Sequence, residues 1–189
     1  YDVKNGESVS VLNGDLSNDQ MKNLDKLNSS ITDFLSKYTN ITFKEKIYWV
    51  QAYNSSIEKG NFTFISFPTI TICGSNPPRH NLQWYVNKIQ EDVESLIPHE
   101  LSHYYFGRLK MCNNYIETIF NEGFAQFLAF KYLSQFTEEN DYISSGIKES
   151  LEWFEEPDFK FKAMLDFTNA ESTNDRQTYA YDYQTSILF

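Results

Sequence analysis

The sequence predicts an α+β domain, a small N-terminal mixed sheet followed by a helical lobe. Three observations lead there. Runs of strand length rich in Val, Ile, Tyr, Trp and Phe fall within about the first 80 residues. From Leu82 onward apolar residues recur at helical spacing. Between these regions lies a loop at 74–81 that holds Pro77-Pro78. The chain of 189 residues is therefore read as one domain, sheet-containing over about 1–80 and helical over about 81–189.

In order, residues 8–12 form a short strand. A helix follows, capped by Ser17 or Asn18, with Met21, Leu24, Leu27, Ile31, Phe34 and Leu35 on one stripe. Residues 41–53 read as a strand, 56–61 as a turn, and 62–73 as β again. Pro68 cannot donate to a ladder, which assigns 62–73 to an edge strand or a bulge. Leu82, Tyr85, Ile89, Val93 and Leu96 make the next helical stripe. Pro98 either breaks that run or opens a new helix in its first turn. Gly107 ends this second helix. Further helices are expected over 116–136, over 139–155 with Pro157 as the stop, and from 175 onward.

Composition excludes several functions. The net charge of −10 argues against nucleic acid or an anionic membrane as partner. With 41% hydrophobic and 17% aromatic residues, the chain has too much apolar material to stay disordered. No apolar run approaches the roughly 20 residues of a membrane span. The opening Tyr1-Asp2-Val3-Lys4-Asn5-Gly6 has no signal-peptide core and no Met, as expected of a mature form or an excised fragment. Cys73 and Cys112 lack a redox or zinc-ribbon spacing and are read as free thiols rather than a disulfide, which leaves the redox compartment open. Glycosylation triplets at Asn28, Asn40, Asn54 and Asn61 are about as many as chance supplies. An extracytoplasmic setting is favoured over a cytoplasmic one.

Residues 99 to 103 read His-Glu-Leu-Ser-His. On a helix His99 and His103 share a face one turn apart, so two imidazoles can grip one ion. Glu100 sits about 100° round the axis, placed to reach a water beside the ion rather than the ion itself. Zinc suits two imidazoles, and a catalytic zinc takes three protein ligands with one position open. Leu96, Ile97, Leu101, Tyr104, Tyr105 and Phe106 surround the motif and mark a buried helix, where two His and a Glu need partners. For the third ligand Glu122 is the strong candidate. It follows His103 after 18 intervening residues and lies among Phe120, Phe124, Phe127 and Phe130. Glu117 is the nearby alternative. His80 reads as a solvated loop residue, and Glu149, Glu152, Glu155 and Glu156 as a solvated helix face.

His-Glu-Leu-Ser-His-Tyr-Tyr-Phe-Gly followed by Asn121-Glu122-Gly123-Phe124-Ala125 resembles the aminopeptidase N family of zinc peptidases, the gluzincins. The family has the same spacing, an aromatic-Gly pair after the first motif (here Phe106-Gly107) and Asn-Glu-Gly around the ligand Glu. The resemblance implies zinc (Zn2+) held by His99, His103 and Glu122, with Glu100 as general base. It implies a thermolysin-like metallopeptidase catalytic domain acting on a peptide or protein substrate. The family's other domains would lie outside these 189 residues.

Two departures from the family pattern stand out. The family's Gly-x-Met-Glu-Asn segment, whose Glu helps bind the free α-amine, has no counterpart. By spacing, residues 63–67 fall there and contain no acid. That favours endopeptidase over aminopeptidase specificity. The family also places a Tyr in a Tyr-x-Lys-Gly setting about sixty residues past the zinc Glu. Tyr183 lies 61 past Glu122 and is followed by Gln184-Thr185-Ser186, without Lys-Gly. The resemblance makes Tyr183 the oxyanion stabiliser. The bland reading of Tyr179, Tyr181 and Tyr183 is an aromatic core cluster. The rival to an enzyme is a non-catalytic, metal-containing peptide-binding module of the same fold.

Overall fold

A computed structural model describes residues 2–53, 61–74, 81–89, 95–113 and 117–136. The helices expected over 139–155 and from 175, together with His80 and Tyr183, lie outside the described residues. The chain divides into two compact units, Tyr1–Glu100 and Leu101–Phe189.

The first unit is built on a five-stranded mixed sheet. Its strands are β1 (Val3–Asn5), β2 (Val9–Leu12), β3 (Ile47–Tyr53), β4 (Asn61–Ser66) and β5 (Thr69–Gly74). Their order across the sheet is β1-β2-β3-β5-β4. The outer pairs are antiparallel, whereas β2 with β3 and β3 with β5 are parallel. A parallel pair needs a crossover, and α1 (Asn18–Thr39) supplies it between β2 and β3. Register places Val11 beside Trp49 and Trp49 beside Ile70, with Val9 beside Ile47 and Gln51 beside Ile72. All seven are buried, so one face of the sheet is core, while Tyr48 on the other face is 44% exposed. Each fully buried aliphatic chain of that layer contributes about 1.5–3 kcal/mol by area.

Helix α1 starts where its cap chemistry allows. The Ser17 hydroxyl accepts from the Gln20 amide, and the Gln20 side chain accepts from the Ser17 amide, a reciprocal capping box. Asn40 ends the helix in the left-handed region at φ 56°. Met21, Leu24, Ile31 and Leu35 of the expected stripe are buried, and so is Asn28. The helix packs against β2 and α2 (Leu82–Ile89). It is also tied to the β1–β2 turn through Asp25, whose carboxylate accepts from the amides of Glu7, Ser8 and Val9 and from the Ser8 hydroxyl. At the start of α2, Asn81 accepts from the Trp84 amide. Buried Gln51 accepts from the Leu82 amide and donates to the Ile72 carbonyl, joining β3, β5 and α2.

Four expectations need correction. The strand expected over 41–53 begins only at Ile47. The amides of Ile41 and Phe43 bond to the hydroxyls of Thr39 and Ser36 at the end of α1, so they are unavailable to a ladder. Residues 62–73 are a hairpin, not one edge strand or bulge. Pro68 sits in the two-residue turn with Phe67, joined by a cis peptide, and β5 is an interior strand. Strand β1, short and largely polar, carries no strong β signal and was not expected. Finally, the second helix is shorter than expected: α3 covers only Leu96–Ser102, and Gly107 lies in a separate turn beyond it. Pro98 does open a new helix in its first turn, where its missing amide costs nothing.

The described part of the second unit holds the end of α3, the turns that follow it, and α4 (Glu117–Leu133). On α4, Ala125, Leu128, Ala129, Tyr132 and Leu133 are buried. No helix among the described residues is long and apolar enough to cross a membrane. Cys73 and Cys112 are not joined in a disulfide, and each is half-buried.

Candidate metal centre

Ser95 precedes α3 and its carbonyl accepts from the His99 amide, so the helix is hydrogen-bonded from its first turn. Beyond Ser102 the winding tightens. The Tyr104 amide reaches Leu101, and the Tyr105 amide reaches Ser102, each three residues back. His103 stands at this transition, one turn beyond His99. The segment is buried as its composition implies, with Ile97 and Leu101 fully so and Tyr105 1% exposed. His99, Glu100 and His103 are 5%, 6% and 8% exposed.

His103 is held from two sides. Its Nδ1 lies 3.1 Å from the Phe106 carbonyl oxygen. That oxygen can only accept, so Nδ1 carries the hydrogen and Nε2 is the nitrogen that faces Glu122. Nε2 lies 3.4 Å from Glu122 Oε2 on α4. The nitrogens of His99 and His103 and a carboxylate oxygen of Glu122 all lie within 4.8 Å of one another. Of the two acids left open by the sequence, Glu122 joins the His pair, and Glu117 is exposed in the first turn of α4.

The donor set fits zinc. Two imidazole nitrogens and one carboxylate oxygen make the three-ligand set of a catalytic site. Atoms about 2.0–2.1 Å from one tetrahedral ion stand about 3.3–3.4 Å apart. The 3.4 Å between His103 and Glu122 already meets that spacing. Glu100, one residue along from His99, is not among the grouped donors.

Sequence reasoning missed the Phe106 carbonyl. A backbone acceptor leaves no trace in residue identity, although the aromatic-Gly pair marks its place. It also missed that Asn121 Oδ1 is buried without a hydrogen-bond partner.

The Peptidase family M1 domain matches residues 78–183, more than half of the chain. The chain belongs to peptidase family M1, a family of zinc-dependent peptidases acting on peptide or protein substrates. The matched stretch contains His99, Glu100, His103 and Glu122, and Tyr183 is its last residue. No curated protein and no solved structure matches the chain.

Proposed function

We propose that residues 1–189 form one thermolysin-like catalytic domain that hydrolyses peptide bonds with a zinc ion held by His99, His103 and Glu122. The clustering of those three donor atoms, in a chain of the M1 family, is the observation that carries this reading. Zinc bound there supplies Lewis-acid polarisation of the scissile carbonyl and a lowered pKa for the attacking water.

The chain's own groups divide the remaining work. His103, with Nδ1–H directed at the Phe106 carbonyl, presents Nε2 as a ligand in one tautomer. Glu100 accepts the proton of the attacking water and passes it to the leaving amine, general base and then general acid. Glu100 is 6% exposed, so its carboxylate is largely shielded from bulk solvent. Tyr183 donates a hydrogen bond to the oxygen of the tetrahedral intermediate.

Specificity follows from what the chain lacks. Residues 63–67 carry no acid to hold a free α-amine, so internal bonds are the proposed targets. Elemental analysis combined with peptide cleavage before and after chelation tests the proposal. One zinc per chain and chelator-sensitive cleavage are expected. Cleavage that survives full removal of metal would overturn it.

A further inference from the structure

We propose that the Phe106-Gly107 peptide is a positioning device that sets the His103 ring against Glu122, an inference that rests on the zinc reading above.

The observations all lie within residues 103–124. Around α4, at about 100° per residue, Phe120 and Phe124 share a face, Asn121 follows at about 100° and Glu122 at about 200°. The segment after α3 lies against each of these positions. The Phe106 ring stacks on Phe124 with centroids 4.6 Å apart and planes 14° apart, and it meets Phe120 edge-on at 5.5 Å. A Cβ at Gly107 would lie 3.8 Å from Asn121 Cγ. The His103 ring reaches Glu122. One residue thus contributes two contacts: the ring of Phe106 fixes the segment to α4, and its carbonyl holds His103 Nδ1.

Gly107 makes this possible. Its φ is +117°, where L side chains are strained. Space is not the obstacle, since a Cβ there would meet His103 O at 3.5 Å and His103 Nδ1 at 3.6 Å, ordinary contacts. The obstacle is the dihedral itself. Returning φ to negative values rotates the 106–107 peptide and turns its carbonyl away from the imidazole. The Gly107 amide, bonded to the Lys110 carbonyl at 2.9 Å, closes the turn in its present orientation.

The test uses the full chain. The protein has three histidines, so imidazole 15N spectra are simple to assign. In zinc-free protein at about pH 8, above the ordinary His range, His103 Nδ1 is expected to be protonated and hydrogen-bonded. Gly107→Ala should lose that signature and weaken zinc binding about 10- to 100-fold in chelator competition. Phe106→Leu should move both readouts the same way by less, and it carries the test should Gly107→Ala not fold. Ile31→Val, a core truncation on α1, lowers stability and should move neither. Wild-type zinc affinity in a folded variant, or weaker affinity with the Nδ1–H signature intact, would overturn the proposal. Should the wild-type chain bind no zinc, the proposed function fails, while the zinc-free spectra still decide whether this peptide sets the ring.

Discussion

His103 Nε2 and Glu122 Oε2 stand 3.4 Å apart, although 18 residues separate them in the chain. Tetrahedral ligands of one zinc ion need about that separation. The spacing is produced by two elements, the tightened turn that ends α3 and the second turn of α4. Losing either partner should therefore cost the metal rather than merely the activity.

The first prediction concerns the ligands. Glu122→Ala and His99→Ala each leave two donors, and metal content should fall from one zinc per chain towards zero. Atomic absorption on protein purified without added zinc checks this. Full retention of zinc by Glu122→Ala would transfer the third-ligand role to another group.

A second prediction concerns the N-terminus of the substrate. With no acid over residues 63–67, on and just beyond edge strand β4, a free α-amine gains little. Acetylated and free peptides of the same sequence should be cut at similar kcat/KM. A strong preference for free N-termini would show that another acid anchors the amine.

Tyr183 gives the third. Oxyanion donors act mainly in the transition state, and removing one typically costs about 100- to 1000-fold. Tyr183→Phe should lower kcat by that factor with zinc content unchanged, whereas Tyr179→Phe should be nearly neutral. Equal effects from the two would favour the aromatic-cluster reading.

The fourth is a pH dependence in the first unit. Partial burial alone would raise the Asp25 carboxyl. The Glu7 amide, the Ser8 hydroxyl and the amides of Ser8 and Val9 outweigh it and hold the group below its ordinary value. A depressed folded pKa means stability that is fully present above the unfolded value, about 3.9, and lost as pH falls through the folded one. In the presence of chelator, the melting temperature of the wild type should drop more steeply below about pH 4 than that of Asp25→Asn. Parallel curves would remove Asp25 from the account.

Much of this was legible in residue identity because it depends on local rules. The Ser17 cap with Gln20 three residues on, the α1 stripe, and two His one turn apart with Glu between them are all short-range patterns. Glu122 was legible because an aromatic-rich helix makes a carboxylate stand out. What escaped depends on backbone geometry or on long-range pairing. Residues 41–46 looked like strand because of Ile41 and Phe43, yet side chains of α1 take their amides first. Pro68 points to an edge strand or a bulge only when 62–73 is taken as one strand, and the two halves of a hairpin have the same composition as one long strand. The Phe106 carbonyl leaves no mark in residue identity, since every residue has one, and only the aromatic-Gly pair signals the turn that aims it.

The most direct measurement of the central claim is peptide turnover by Glu100→Gln at a determined zinc occupancy. Glutamine keeps the shape of the side chain but cannot take a proton, and general bases typically contribute about 100- to 10,000-fold. The account predicts wild-type zinc content with kcat reduced by at least that range. A zinc-loaded Glu100→Gln protein that cuts peptides at the wild-type rate would contradict it.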